Sequence, residues 1–114
     1  MKKLYLDDIR NPKEKGWTIV RSYNEFVDWI EANGMPDEIS FDHDLSFEHY
    51  YGDIEPGSSA EYTGLDCAKW LADYCERNNA EFPAYNVHSA NIVGAEAIES
   101  FIKSYKHAKS ENNK

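Results

Sequence analysis

Cysteine and basic residues are scarce in this chain of 114 residues, and no long hydrophobic run interrupts it. The two cysteines, Cys67 and Cys75, fall eight positions apart in one predicted helix. At a rise of about 1.5 Å per residue they stand roughly 12 Å apart, beyond the ~7 Å that a disulfide spans. A bridge between them is excluded, and two buried thiols in a reducing compartment are expected. No stretch approaches the ~18 apolar residues of a membrane span. Met1-Lys2-Lys3 leads straight into a predicted strand without the apolar region of a signal peptide. A cytoplasmic protein with no membrane partner is the expectation. Lys and Arg number 12 against 21 Asp and Glu, a formal charge of −9. That excess repels phosphate backbones at long range and argues against duplex DNA binding through a basic patch. It leaves open a protein partner engaged through the acidic surface, or mimicry of DNA.

What is present points to a folded domain. Apolar residues make up 41% of the chain and aromatics 14%, enough for a core and too many for a disordered acidic protein. The length fits one domain over residues 1–109, with a frayed polar tail at 110–114. Leu4-Tyr5-Leu6 is an apolar run stopped by Asp7-Asp8, and Trp17-Thr18-Ile19-Val20 makes a second strand. Ser22 and Glu25 form a capping box for a helix with Phe26, Val27, Trp29 and Ile30 on its apolar face, ended by Gly34. Ile39-Ser40-Phe41 is the third strand. Thr63 and Asp66 cap a helix buried through Leu65, Ala68, Leu71, Ala72 and Cys75. Tyr85-Asn86-Val87-His88 reads as the fourth strand, and Ala95, Ile98, Phe101, Ile102 and Tyr105 mark a last helix. The order β, β, α, β, α, β, α implies an α/β three-layer sandwich around a short, mainly parallel four-stranded sheet. The first connection, with Asn11, Pro12 and Gly16, is too poor for a full helix.

In an open parallel sheet, ligands bind beyond the carboxyl ends of the strands. Asp7 and Asp8 follow strand one, Asp42, His43 and Asp44 follow strand three, and His88, Ser89 and Asn91 follow strand four. Carboxylates massed at one place repel each other unless a cation neutralises them. Asp7, Asp8, Asp42 and Asp44 are therefore expected to hold a divalent cation, Mg²⁺ first and Mn²⁺ or Zn²⁺ otherwise. Each Asp taken singly is better explained as a loop or helix cap, and it is the two clusters at adjacent strand ends that favour the cation. His43 and His88, with Asp42, are the candidate catalytic groups, because imidazole ordinarily titrates near neutrality. Ser89 and Asn91 precede the last helix and suit a phosphate at its N-terminus, though either serves equally as an N-cap. Arg10 is a third phosphate candidate. Residues 45–62 are long for an irregular connection and carry His49, Tyr50 and Tyr51, a candidate lid. His107 is expected on the surface.

These residues resemble a known pattern. Leu4-Tyr5-Leu6-Asp7-Asp8 is similar to the opening strand and acidic pair of response-regulator receiver domains, Asp42 matches their phosphoacceptor, and Ser89-Ala90 their Ser/Thr-Ala. The missing first helix, the motif Asp42-His43-Asp44 and the lack of a fifth strand with its Lys depart from a signalling receiver. The missing fifth strand and its Lys also argue against phosphorylation at Asp42. The departures resemble the family of cyclic-phosphate processing receiver domains through LYLDDIRNP, ISFDHDL, TGLDCAKWL and NVHSANIVGAEAI, covering residue 3 to about 105. The resemblance implies a truncated receiver (flavodoxin-like) topology. It also implies a divalent-metal-dependent phosphoesterase acting on a cyclic phosphate of a nucleotide or RNA end. The alternative is a non-catalytic, receiver-like acidic binding protein.

Overall fold

The computed structural model describes residues 1–45 and 62–112. They form strands β1 (Lys3–Leu6) and β2 (Trp17–Val20), helix α1 (Tyr23–Asn33), strand β3 (Glu38–Phe41), helix α2 (Gly64–Arg77), strand β4 (Ala84–Val87) and helix α3 (Ile92–Asn112). The candidate lid residues His49, Tyr50 and Tyr51 lie outside the described residues.

The sheet order is β2-β1-β3-β4, and every pairing is parallel. The order sets which face each helix covers. Chain travel from β2 to β3 and from β3 to β4 runs in one direction across the sheet, so right-handed crossovers place α1 and α2 on the same face. Travel from β1 to β2 runs the opposite way, and its connection, residues 7–16, belongs on the other face. That connection holds no helix. The α/β receiver-like architecture is as expected. Among the described residues, however, the third layer is a loop rather than helices.

Alternation along the strands sorts the side chains accordingly. Leu4, Leu6, Val20, Ile39 and Phe41 face the helices and are buried against Phe26 and Ile30 of α1, Cys67, Ala68 and Leu71 of α2, and Ile98 and Ile102 of α3. Burying each large aliphatic or aromatic side chain contributes roughly 1.5–3 kcal/mol, so this single core carries the stability of the domain. Both cysteines are free and lie inside the core. Burial pushes the Cys75 thiol up to about 11, which keeps it protonated and unreactive at neutral pH.

The helix ends follow their local chemistry. Ser22 Oγ accepts the Glu25 N–H at 3.1 Å, while Glu25 Oε1 accepts from Arg21 N–H, one residue before the cap. Gly34, at φ 84°, closes α1 by donating to the Ile30 carbonyl at 2.8 Å. Thr63 and Asp66 complete a reciprocal capping box on α2. Helix α3 continues through Asn112, past the point where the polar composition begins.

Candidate metal and phosphate site

The sheet's hydrogen bonding runs one rung past three strand ends. Asp7 N–H donates to Val20 O at 3.2 Å, Asp42 N–H to Leu6 O at 3.0 Å, and His88 N–H to Phe41 O at 2.9 Å. Two residues further back, Tyr5, Ser40 and Asn86 stand abreast in the register. Asp7, Asp42 and His88 have the same parity as that row, so they extend the face away from the helices. Ligand atoms from all three lie within 4.8 Å of one another. Asp7 is 0% exposed and Asp42 2%.

Each member is held by several contacts. Asp7 Oδ1 accepts the N–H groups of Ile9 at 3.0 Å and Arg10 at 2.7 Å, an Asx-type turn that folds the loop back over the strand end. Arg10 Nε then lies 3.0 Å from Asp7 Oδ2, and its Nη2 reaches Asp42 Oδ1 at 3.4 Å. Arg21 pins the same loop from β2. Its Nη1 donates to the carbonyls of Asp7 at 3.1 Å and Arg10 at 2.7 Å, and its Nη2 to Asn11 Oδ1 at 2.6 Å. The His88 ring stacks on Tyr5 with centroids 4.4 Å apart and planes at 6°. Its Nε2 lies 2.9 Å from Asp7 Oδ2, and its Nδ1 lies 2.6 Å from Ser40 Oγ.

The two buried carboxylates have opposite electrostatic fates. Burial pushes Asp7 up, but the backbone N–H groups of Arg10 and Ile9, the His88 hydrogen bond and the Arg10 charge outweigh it, and the group lies below its ordinary value. Burial also pushes Asp42 up, and the Asp7 charge beside it adds to the rise. A hydrogen bond from Ser89 and the charge of Arg10 recover only part, so Asp42 stays above its ordinary value. One half-exposed guanidinium thus leaves the pair under-neutralised. Two buried carboxylates short of positive charge, with an imidazole nitrogen at hand, fit the donor set of a divalent cation.

The remaining predicted site residues lie around this cluster. Asp44 is outside the group of three. It accepts from Asn91 Nδ2 at 3.1 Å and pairs with His43 Nδ1 at 2.8 Å, and those contacts hold its carboxyl below the ordinary value. Asp8 is also outside the group and is half-buried. His43 sits against Gly94 of α3, where a Cβ would overlap its ring. Asn91 is the N-cap of α3: its Oδ1 accepts from Gly94 N–H at 2.9 Å and its carbonyl from Ala95 N–H at 2.8 Å. Both ends of its amide are therefore engaged. Asn91→Ala should lower stability by about 1 kcal/mol through loss of that cap, read as a fall in melting temperature, while phosphate affinity holds. A loss of phosphate affinity without a loss of stability would reverse that assignment. Ser40, Arg21 and Tyr5 were not singled out from the sequence. Strand parity alone points to Ser40, since Ile39 and Phe41 must both face the core, whereas no local pattern identifies Arg21.

The chain matches the family model described as the cyclic-phosphate processing receiver domain over residues 2–104. No curated protein and no solved structure matches it. This protein belongs to the cyclic-phosphate processing receiver domain family. Among the described residues, no helix is long and apolar enough to cross a membrane.

Proposed function

We propose that this receiver-family domain binds one divalent cation at Asp7 and Asp42, against His88, and beside it the cyclic phosphate of a nucleotide or RNA end, which it opens by hydrolysis. One observation carries the reading: two buried carboxylates and an imidazole converge within 4.8 Å at the carboxyl end of a parallel sheet. The family's description, tied to cyclic-phosphate processing, supports the ligand class.

A divalent cation bound there would polarise a phosphoryl oxygen and offset charge that develops as the ester opens. The chain's own groups do the rest. Arg10, whose forked guanidinium bridges both carboxylates, can turn to a phosphate, a group it matches in geometry. Ser89, on Asp42, and the first turn of α3 supply further donors and the positive end of a helix dipole. Ring opening adds water to phosphorus, breaks one P–O ester bond and delivers a proton to the leaving oxygen.

The Ser40 hydroxyl decides which histidine moves that proton. If Ser40 donates to Nδ1, then Nε2 carries hydrogen and bonds to Asp7, and His88 serves the proton transfer beside an oxygen-ligated cation such as Mg²⁺. If Ser40 accepts from Nδ1–H, the Nε2 lone pair is a ligand, which suits Mn²⁺ or Zn²⁺. His43, fixed by Asp44 at 2.8 Å, is then the remaining acid–base group.

The test is incubation with adenosine 2′,3′-cyclic phosphate and Mg²⁺, Mn²⁺ or Zn²⁺, with nucleoside monophosphates separated by chromatography. Turnover that needs a cation and disappears in Asp42→Ala supports hydrolysis. If none of the three cations gives product, hydrolysis of this substrate is ruled out. One observation favours a second, non-catalytic reading: Arg10 already bridges Asp7 and Asp42, a closed resting network that binding alone could open. Nucleotide binding without turnover would select it.

A further inference from the structure

The face of the sheet away from the helices carries more than the acidic cluster. Tyr5, Ser40 and Asn86 stand abreast on it, and Trp17 lies one rung back beside Lys3. Its cover among the described residues is the loop 7–16. Loop and sheet frame an open cleft of about 390 Å³, inside the range of roughly 300–1,000 Å³ common for small-ligand sites. Tyr5, Trp17, Ser40 and Asn86 line the sheet side, and Arg10 and Lys13 the loop side. His88 closes the end that adjoins the carboxylates.

The lining has a definite chemistry. The Trp17 ring meets Tyr5 edge-on at 5.9 Å, and Tyr5 lies flat on His88 at 4.4 Å, so aromatic surface runs unbroken from the sheet edge to the cation cluster. Lys3 Nζ stands 5.0 Å over the Trp17 ring and steadies it. Asn86 is exposed and offers an amide, donor and acceptor together, as a base edge requires. Arg10 and Lys13 put two of the chain's 12 basic side chains on one wall, with Glu14 beside them, so that wall is net positive in a protein of charge −9. Positive charge beside aromatic rings and an amide suits a planar heteroaromatic group attached to an anion.

We propose that this pocket is a nucleobase subsite, so that the ligand is a nucleoside phosphate with its base between the loop 7–16 and the sheet, against Trp17 and Tyr5. The inference rests on the phosphate reading of the adjoining cluster and extends it, because Arg10 and His88 border both places. A bare phosphate or a sugar phosphate would leave the aromatic row unused.

The experiment is a ¹H–¹⁵N NMR titration with adenosine 2′,3′-cyclic phosphate or inorganic phosphate, each with and without Mg²⁺. The Trp17 indole signal is assigned by its loss in Trp17→Phe, a variant that keeps the ring-packed strand. The indole is expected to shift with the nucleotide and stay in place with phosphate. Trp17→Leu should raise the nucleotide Kd about tenfold and leave the phosphate Kd within about twofold. Asn86→Ala, on the exposed edge strand, should weaken the nucleotide alone without disturbing the fold. Equal affinities for nucleotide and phosphate, or a variant that weakens both alike, overturn the proposal. Failure of the neighbouring site is a separate result: amides at Asp7 and Asp42 that ignore Mg²⁺ and phosphate reject the cation reading, while the indole still reports on the base.

Discussion

Asp42→Asn should raise the melting temperature of the cation-free protein and abolish its stabilisation by divalent cations, so that adding Mg²⁺ reverses the order of stability. The first half follows from the electrostatics of a buried pair. Asp42 is 2% exposed, and its ionised form suffers both burial and the Asp7 charge, which together exceed what Ser89, Arg10 and His88 return. An amide of the same shape removes the charge and keeps the volume. A rise in melting temperature is therefore expected, about 4 °C for each kcal/mol gained in a domain of this size.

The dependence on pH fixes the sign. A carboxyl whose pKa is raised by folding has its stabilising contribution intact below the ordinary value of 3.8 and loses it as pH rises through the folded value. Wild type and Asp42→Asn should therefore be equally stable near pH 3.5 and diverge as pH rises. Asp7, lowered by its hydrogen bonds, behaves oppositely: its contribution is present above 3.8 and disappears as pH falls through the lower folded value. Because Asp7 is retained in the variant, it loses stability in acid alongside the wild type and largely cancels from the difference.

The second half follows from mass action. A cation at 100 times its Kd stabilises the state that binds it by about 2.7 kcal/mol, and the effect grows with cation concentration until it exceeds the gain from removing the charge. Wild type should then overtake the variant, which has lost one of two buried carboxylates. Thermal melts with and without Mg²⁺ at pH 5 and pH 7.5 measure all of this. An Asp42→Asn protein less stable than wild type without cation would mean that Asp42 acts as a structural partner of Arg10 and not as a ligand kept for a cation.

How far the sequence reveals this site depends on parity. The acidic stops after Leu6 and Phe41 are plain in the chain, as are the capping residues Ser22, Thr63 and Asp66, and the order of elements yields a parallel sheet. What the sequence hides is which of several neighbouring polar residues share a side. Asp7, Asp42 and His88 come together because each sits one position past a strand whose bonding continues through it. Asp8 follows one position later, with the opposite parity. Asp44 comes after the extended backbone has ended, and it is taken up by His43 and Asn91 instead. His88, expected chiefly as a proton-transfer group, stands at ligand distance. Arg21 contacts groups 10, 11 and 14 positions away, a spacing that no helical or strand period encodes. The open face is legible only after strand order is known, since the short connection 7–16 matters through the side of the sheet it crosses.

The same backbone that holds Asp42 predicts a second large effect, at Gly64. In an ordinary helix, replacing Gly by Ala gains up to about 1 kcal/mol. Gly64→Ala should instead cost roughly 2–3 kcal/mol, near the upper end for overpacking a rigid contact. Gly64 is buried at the first position of α2, where its N–H donates to the His43 carbonyl at 2.8 Å. A Cβ there would overlap the Asp42 carbonyl oxygen and lie 2.8 Å from its carbon and 3.1 Å from His43 Cα. Every one of those atoms is backbone, so no rotamer change relieves the clash. Either α2 withdraws from the end of β3, or the strand end moves and carries the Asp42 carboxylate out of line with Asp7. The melting temperature should fall by about 8 °C or more, and cation affinity should fall with it. Gly94→Ala is the matched comparison. Its Cβ would overlap the His43 ring, which can rotate, and lie 2.8 Å from His43 Cβ, which no rotation moves, so the start of α3 must also give by a few tenths of an ångström. That variant should lose the His43–Asp44 pair and cost about 1–2 kcal/mol in all, less than Gly64→Ala, with cation affinity at Asp7 and Asp42 retained. Equal damage from the two substitutions, in melting and in cation titration, would mean that the close approach at Gly64 does not position Asp42.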